Sequence, residues 1–329
     1  MLHPRDALFD AGEAAPELPV CDHYCGVEAR MKKSLELQAE LGPVFDVTLD
    51  CEDGAPLGGE AEHAHLVAEM ATSAANRFGR VGTRVHPVDH PAFAGDVETL
   101  VRRAGSRLAY LMVPKPRGVA DVDRACGEID HQLRVAAVGR QVPVHVLIET
   151  LGALREVDAI AAHPRVESLS FGLMDFVSAH RGAIPSAGMS AAGQFTHPLV
   201  VRAKLEIAAA CHAHAKVPSH CVVTEFADAA AIAGAARRAS RELGYTRMWS
   251  IHPNQIRPIV EAFAPDADEV ARAIEIITAA QAADWAPIRH ADALHDRASY
   301  RYFWQVLDRA HRTGRPLPDD VTRAYFAEV

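Results

Sequence analysis

The chain is 329 residues long, with 49% apolar residues, 23% charged residues and a formal net charge of −9. That composition belongs to a folded chain with a large core rather than to a disordered one. The acidic balance argues against a nucleic-acid or anionic-membrane partner, and no apolar run reaches the roughly 18–20 residues of a membrane span.

The N-terminal 20 residues contain Asp6, Asp10 and Glu17 and no long apolar segment, so no secretory signal is expected and the expected location is cytoplasmic. Cys21, Cys25, Cys51, Cys126, Cys211 and Cys221 are scattered, with no second close pair at zinc-ligand spacing. They read as reduced, buried thiols.

Strand-like and helix-like runs then alternate. Strand Leu18–Tyr24 precedes helix Glu28–Leu41, strand Val44–Leu49 precedes helix Glu60–Arg80, and strand Val81–His86 precedes helix Val97–Gly105. Strand Leu108–Pro114 leads to helix Val119–Val138, and strand Val142–Glu149 to helix Leu154–His163. Strand Val166–Phe171 is followed by a long polar loop, Val177–Thr196, and helix Pro198–His214; loops of that length are usually functional. Strand Val217–Thr224, helix Ala227–Leu243 and strand Tyr245–Ile251 complete the series.

Eight strands alternating with helices predict an α/β fold, the (β/α)8 TIM barrel. An open doubly wound sheet fits the alternation too, but no Gly-x-Gly-x-x-Gly follows any strand, which argues against a dinucleotide-binding version. Pro265–Ala283 and Ala298–Arg312 read as two extra C-terminal helices. The expected division is therefore a catalytic barrel over residues 1–260 and a helical extension over 261–329, which would cap the barrel or contact a neighbouring subunit.

Chemistry in such barrels sits at the C-terminal ends of the strands. Those ends supply Asp50, Glu52 and Asp53 (second), Arg84 and His86 (third), Lys115 (fourth), Glu149 (fifth), Asp175 (sixth), and His252 and Asn254 (eighth). Glu149 and Asp175 stand 26 positions apart, one strand–helix–strand unit, so their carboxylates should emerge side by side at one rim. Two converging carboxylates suit a hard divalent cation. Taken singly, each residue has a plainer reading: Asp past a strand is a common helix cap, Lys115 lies in an exposed-looking turn, and a lone His is more often packed than catalytic. The gathering of acid, base and cation at one rim is what a packed core alone does not explain.

These residues also carry a resemblance. Phe45–Pro56 (FDVTLDCEDGAP) resembles the aspartate-rich second-strand motif LDLEDAVP of the citrate lyase beta subunit family. Thr83–His86 resembles its arginine strand, IETLG at 148–152 its metal glutamate, FGLMD at 171–175 its metal aspartate, and WSIHPNQI at 249–256 its eighth-strand signature. Spanning roughly residues 18 to 300, the match is to the HpcH/HpaI aldolase and citrate lyase superfamily, in its CoA-ester lyase branch.

The resemblance implies a Mg²⁺ ion, with Mn²⁺ as the alternative, on Glu149 and Asp175. It implies Arg84 gripping a keto-acid carboxylate, with Glu52 and Lys115 also in the substrate site. The acid/base role falls to Asp53, or to Asp296 in the segment Ala291–Arg301, which would correspond to an aspartate often supplied by a neighbouring subunit. Asp53 stands where the pyruvate-aldolase branch carries a histidine, which favours the lyase branch. The implied reaction splits malyl-CoA, citramalyl-CoA or a citryl-like thioester into a 2-oxo acid and an acyl-CoA enolate. The alternatives are a metal-dependent class II aldolase acting on a free hydroxy-keto acid, and a non-catalytic binder of a small acid or CoA ester. The implied partners are a small 2-oxo or hydroxy acid, a CoA thioester that Arg30, Lys32 and Lys33 could meet, and further copies of the chain in a trimer or hexamer. Two departures stand out. The first strand reads LPVCDHYCG, so Asp22–His23–Tyr24 adds polar groups near the expected rim, and the seventh carries His220 where the family usually has an aspartate.

Overall fold

In the computed structural model, which describes residues 2–10 and 16–327, eight parallel strands close into a barrel with β1 hydrogen-bonded to both β2 and β8. They are β1 Cys21–Cys25, β2 Phe45–Asp50, β3 Val81–Arg84, β4 Leu111–Val113, β5 Val144–Ile148, β6 Val166–Phe171, β7 Val217–His220 and β8 Arg247–Ser250. Nearly every strand residue is buried, the pattern expected of a parallel sheet covered by helices outside and side chains inside. Parallel pairing turns all eight C-terminal ends to one rim, which fixes where Asp50, Arg84 and Glu149 emerge.

Strand order, fold class and most helices agree with the sequence. The strands are shorter than their apolar runs, and helix Glu60–Thr72 ends eight residues before the predicted Arg80, where Ser73 is extended. Short helices at Pro4–Leu8, Leu173–Ala179, Pro253–Phe263 and Asp319–Tyr325 escaped the sequence. Pro253–Phe263 carries Pro258 inside it, a residue that reads as a breaker.

The interior of the lower barrel is polar. Arg247 of β8 is fully buried, 2.6 Å from Asp46 of β2 and 3.1 Å from Asp22 of β1, and donates to the carbonyl of Pro19. Asp46 also meets Arg80 at 2.7 Å, and Asp22 accepts from the hydroxyls of Thr48 and Tyr110. The Tyr110 ring lies where a side chain on Gly82 would be, stacked 3.7 Å from the ring of His145, whose Nε2 meets Glu167. Asp22 is therefore not at the rim, as the sequence suggested, but in the barrel's ionic floor. His23 lies between β1 and β8 against Ser250, and only Tyr24 of that triplet reaches the site side.

All six cysteines are buried and free. Among the described residues, no helix is long and apolar enough to cross a membrane.

Two compact units divide the chain at Val260/Glu261. The barrel unit runs over Pro16–Val260; the other joins residues 1–15 to 261–329, whereas the sequence assigned residues 1–15 to the barrel. The extreme residues of both predicted ranges, 1, 328 and 329, lie outside the described residues. Within the smaller unit, helices Ala267–Ala282 and Arg297–Arg312 pack Ile276, Ile277, Tyr300, Trp304 and Leu307 together with Leu8 of helix Pro4–Leu8. A hairpin, Ile288–His290 and Ala293–His295, precedes helix Arg297–Arg312 and was not foreseen.

Arg247→Met strips Asp22 of the one cation paired with it among the described residues, while Asp46 keeps Arg80. A buried, unpaired carboxylate should cost about 3–5 kcal/mol, measured as a lowered urea midpoint; an unchanged midpoint would show that the ionic floor does not hold the barrel.

Burial, with the nearby charge of His252 second, pushes the His23 imidazole down to about 4. Unfolding therefore takes up a proton in the window between about pH 6.5 and 4, and stability falls by up to about 3 kcal/mol as pH drops through it. His23→Asn, compared with the native chain by urea unfolding at pH 7 and 4.5, is expected to lose less stability on acidification; an equal loss rules this out.

Candidate active site

Asp50 ends β2 inside the rim and accepts four hydrogen bonds. Arg84, ending β3, donates Nε to Oδ1 at 2.7 Å and Nη2 to Oδ2 at 2.5 Å. The backbone N–H groups of Glu52 and Gly54 take the remaining lone pairs at 3.0 and 2.8 Å. A planar guanidinium matches a carboxylate in this forked geometry, and an aspartate that captures N–H groups two and four residues on shapes its own loop. Gly54 is required, because a Cβ there would collide with Asp50 Oδ2. Gly26, after β1, is required too, since a Cβ there would run into the Gly54 carbonyl.

The loop so formed presents two more acids. Glu52, almost buried, stands 3.0 Å from Arg84 Nη1 and accepts from Lys115 Nζ. Asp53, more than half exposed, accepts from the same ammonium at 2.6 Å through Oδ2. Partial burial opposes ionisation of Asp53, but the hydrogen bond and charge of Lys115 outweigh it and hold the carboxyl below its usual range. Partial burial also works against the Lys115 ammonium, yet Asp53 and Glu52 hold it above the ordinary lysine value.

Lys115 lies between Pro114 and Pro116 with φ +49°, a left-handed conformation that costs a bulky residue about 1–3 kcal/mol. In that conformation its N–H points at Glu149 Oε1, 2.8 Å away, while its side chain crosses to Glu52 and Asp53. Its Nζ is also 3.9 Å from Asp175 Oδ1.

Glu149 follows β5 and is 2% exposed. Burial pushes its pKa well above the carboxylate range, and the negative charge of Asp175 adds to the shift. Asp175 is not in a loop, as the sequence suggested, but in the first turn of helix Leu173–Ala179, half exposed. Gly172 starts that helix, and a Cβ on it would overlap both Cβ and Oε2 of Glu149. Below this level Tyr24 stacks on Trp249 at 4.1 Å and packs with Met112 and Leu147 into an apolar floor.

Of the residues picked from sequence, Glu52, Asp53, Arg84, Lys115, Glu149 and Asp175 converge. His86 is engaged elsewhere, by Asp96 at 2.6 Å, and His252 stacks on Phe226. Asp296 belongs to the smaller unit, where its Oδ1 caps helix Arg297–Arg312 through the N–H groups of Ala298 and Ser299. Lys32 and Lys33 are paired along their own helix with Glu28 and Glu36. The sequence underrated Asp50, whose spacing from Gly54 was its signal, and missed Gly172, whose place at a strand end marks close approach.

Glu149 and Asp175 form a hard oxygen pair, and among the described residues neither Arg nor any Lys other than Lys115 lies within ion-pair distance of them. No set of three or more His, Cys, Asp or Glu side chains suited to a metal occurs among the described residues, which leaves the two carboxylates as the candidate protein ligands. A pair of carboxylates fits a Mg²⁺-type ion, which keeps several of its waters.

Residues 44–253 match the profile of the HpcH/HpaI aldolase/citrate lyase family. Over 253 residues the chain is 29% identical to the L-malyl-CoA/beta-methylmalyl-CoA lyase of Cereibacter sphaeroides, covering 72% of this chain and 77% of that one. A crystal structure of a citrate lyase from Burkholderia xenovorans is 55% identical, superposes with a TM-score of 0.85, and covers 99% of this chain and 100% of the other. The protein CitE from Mycobacterium tuberculosis, solved with magnesium, acetoacetate and coenzyme A, shares the fold at 19% identity and a TM-score of 0.66, over 89% of this chain and 98% of that one.

Gly172→Ala leaves every polar side chain in place and the backbone angles allowed, with φ −89°, but crowds Glu149. The variant is expected to remain folded, to lose about 1–3 kcal/mol of stability, and to bind Mn²⁺ at least about tenfold more weakly in a calorimetric titration. Native affinity would mean that Glu149 does not depend on this close approach.

Proposed function

The chain belongs to the HpcH/HpaI aldolase/citrate lyase family, and we propose that it is a carbon–carbon lyase of the citrate lyase beta subunit-like branch, splitting a 3-hydroxyacyl thioester of coenzyme A into a 2-oxo acid and an acyl-CoA enolate. The observation that carries this reading is the pair of carboxylates, Glu149 and Asp175, set beside the Arg84–Asp50 fork at one rim. The thioester is supported by the malyl-CoA lyase relative, and the ion and small acid by the ligands of the M. tuberculosis CitE complex.

In this reading Glu149 and Asp175 hold Mg²⁺, with Mn²⁺ as the alternative, and the ion supplies Lewis-acid charge against the oxygen that becomes the product carbonyl. Arg84 spends three of its five N–H groups on Asp50 and Glu52, and the rest face the carboxylate of the 2-oxo acid. Asp53 Oδ2 is tied to Lys115, so Oδ1 takes the proton of the 3-hydroxyl. As that proton leaves, the bond between C2 and C3 breaks, its electron pair passes to the thioester as an enolate, and C3 becomes the carbonyl of the 2-oxo acid. In the reverse direction the same oxygen returns the proton. Asp296, supplied by a neighbouring copy of the chain, is the second candidate for this base, through Oδ2, because Oδ1 caps its helix. Tyr24 and Trp249 provide the apolar surface for the acyl portion. We assign the active form to a homo-oligomer, trimer or hexamer.

The test compares malyl-CoA and citramalyl-CoA with free hydroxy-keto acids, reading glyoxylate or pyruvate release with and without Mg²⁺. Release from a thioester only, lost by at least about 100-fold in Glu149→Ala and in Asp175→Ala, is the expected result. Release from the free acids alone would move the chain to the aldolase chemistry, and full Mg²⁺-dependent activity in either variant would refute the metal assignment.

A further inference from the structure

We infer that Lys115 is a built-in counterweight that limits how tightly the acidic rim holds a divalent cation, and that it does so while fixing the loop carrying Glu52 and Asp53. The inference rests on the assignment of Glu149 and Asp175 as the cation pair.

Five carboxylates meet at the rim, on Asp50, Glu52, Asp53, Glu149 and Asp175, against two cations, Arg84 and Lys115. The Arg84 charge is committed to Asp50, which grips two of its nitrogens. Lys115 is different in kind. It is the one cation, among the described residues, within 4 Å of a member of the cation pair, at 3.9 Å from Asp175 Oδ1, and its ammonium faces three acidic side chains, two on the loop after β2 and one on helix Leu173–Ala179. A compact ammonium is a point charge without the fixed fork of arginine, so it can neutralise several oxygens at once.

The backbone explains why this residue, and not a neighbour, does the work. Lys115 is held at φ +49° between two prolines, where a lysine is strained. That conformation sends the N–H to Glu149 Oε1 and the side chain in a different direction, to Glu52 and Asp53. An extended conformation would give up one of these two contacts. One residue thus orients a member of the cation pair and dilutes the negative field acting on that pair. A divalent ion entering the rim meets a fixed positive charge a few ångströms away, and its affinity falls accordingly. Firm binding then needs the further negative charge of a chelating oxo acid. Lys115 is a positioning residue in this account: its ammonium donates to Glu52 and Asp53, and no reacting atom is assigned to it.

Mn²⁺ titration by electron paramagnetic resonance, without any organic ligand, tests the inference on the full chain. Lys115→Met is expected to bind Mn²⁺ about tenfold more tightly than the native protein. Lys115→Arg should stay within about threefold of native, since the charge is retained. In the same Lys115→Met protein, backbone amides of residues 51–58 should exchange with deuterium faster, because the loop has lost its anchor. If Lys115→Met does not fold, Lys115→Gly takes its place, since glycine accepts the left-handed conformation, and the same tightening is expected. Unchanged or weaker Mn²⁺ binding on removal of the ammonium overturns the inference. Glu149→Ala runs alongside: if it too binds Mn²⁺ as the native chain does, the cation pair itself is misassigned, which is a separate failure.

Discussion

The fork between Asp50 and Arg84 holds the rest of the rim in register. Asp50 has four lone-pair directions, and all are used: two on the guanidinium, two on the N–H groups of the loop that follows. Arg84 cannot swing without releasing the loop, and the loop cannot open without exposing a nearly buried ion pair. From this fork the contacts pass to Glu52, then Lys115, and through the Lys115 backbone to Glu149. Strands β2, β3, β4 and β5 are thus tied together at their C-terminal ends by polar side chains, above the hydrogen bonds of the sheet. Charge-assisted bonds suit this task because their strength depends on angle as well as distance, so they fix orientation as dispersion contacts do not.

The lower barrel follows the same pattern with a different hub. Barrel interiors of this kind are usually filled with branched aliphatic side chains. Here Arg247 meets aspartates from β1 and β2, and Tyr110 closes the network over Gly82. Replacing such a cluster by aliphatic residues is often neutral or stabilising, so its presence is weak evidence for stability and better evidence for a defined register. The two ionic layers are separated by the apolar floor of Tyr24, Met112, Leu147 and Trp249.

Much of this was legible in the sequence, for physical reasons. Buried parallel strands are apolar enough to read as runs, and rim residues follow the runs directly, which is how Arg84, Glu149 and Asp175 could be named. The interior partners were not legible. Asp22, Asp46 and Arg247 sit inside strands, where a polar residue in a short run could face either way, and only closure of the barrel brings β8 against β1. Helix Leu173–Ala179 is too short for helical periodicity to show, so Asp175 was expected in a loop. Gly172, at the start of that helix, has no side chain and leaves no trace in hydropathy. Asp296 was picked out by resemblance, and its local pattern is also that of an ordinary capping box with Ser299, a distinction that sequence alone does not draw.

The contact of Gly26 with the carbonyl of Gly54 couples two loops that are otherwise independent in sequence. Backbone lies against backbone there, with no side chain to absorb a change. A side chain at Gly26 cannot be accommodated by repacking; it must shift the second loop, and with it the acids that line the rim. For directed evolution of substrate range, the loops after β1 and β2 are therefore a single module to be diversified together.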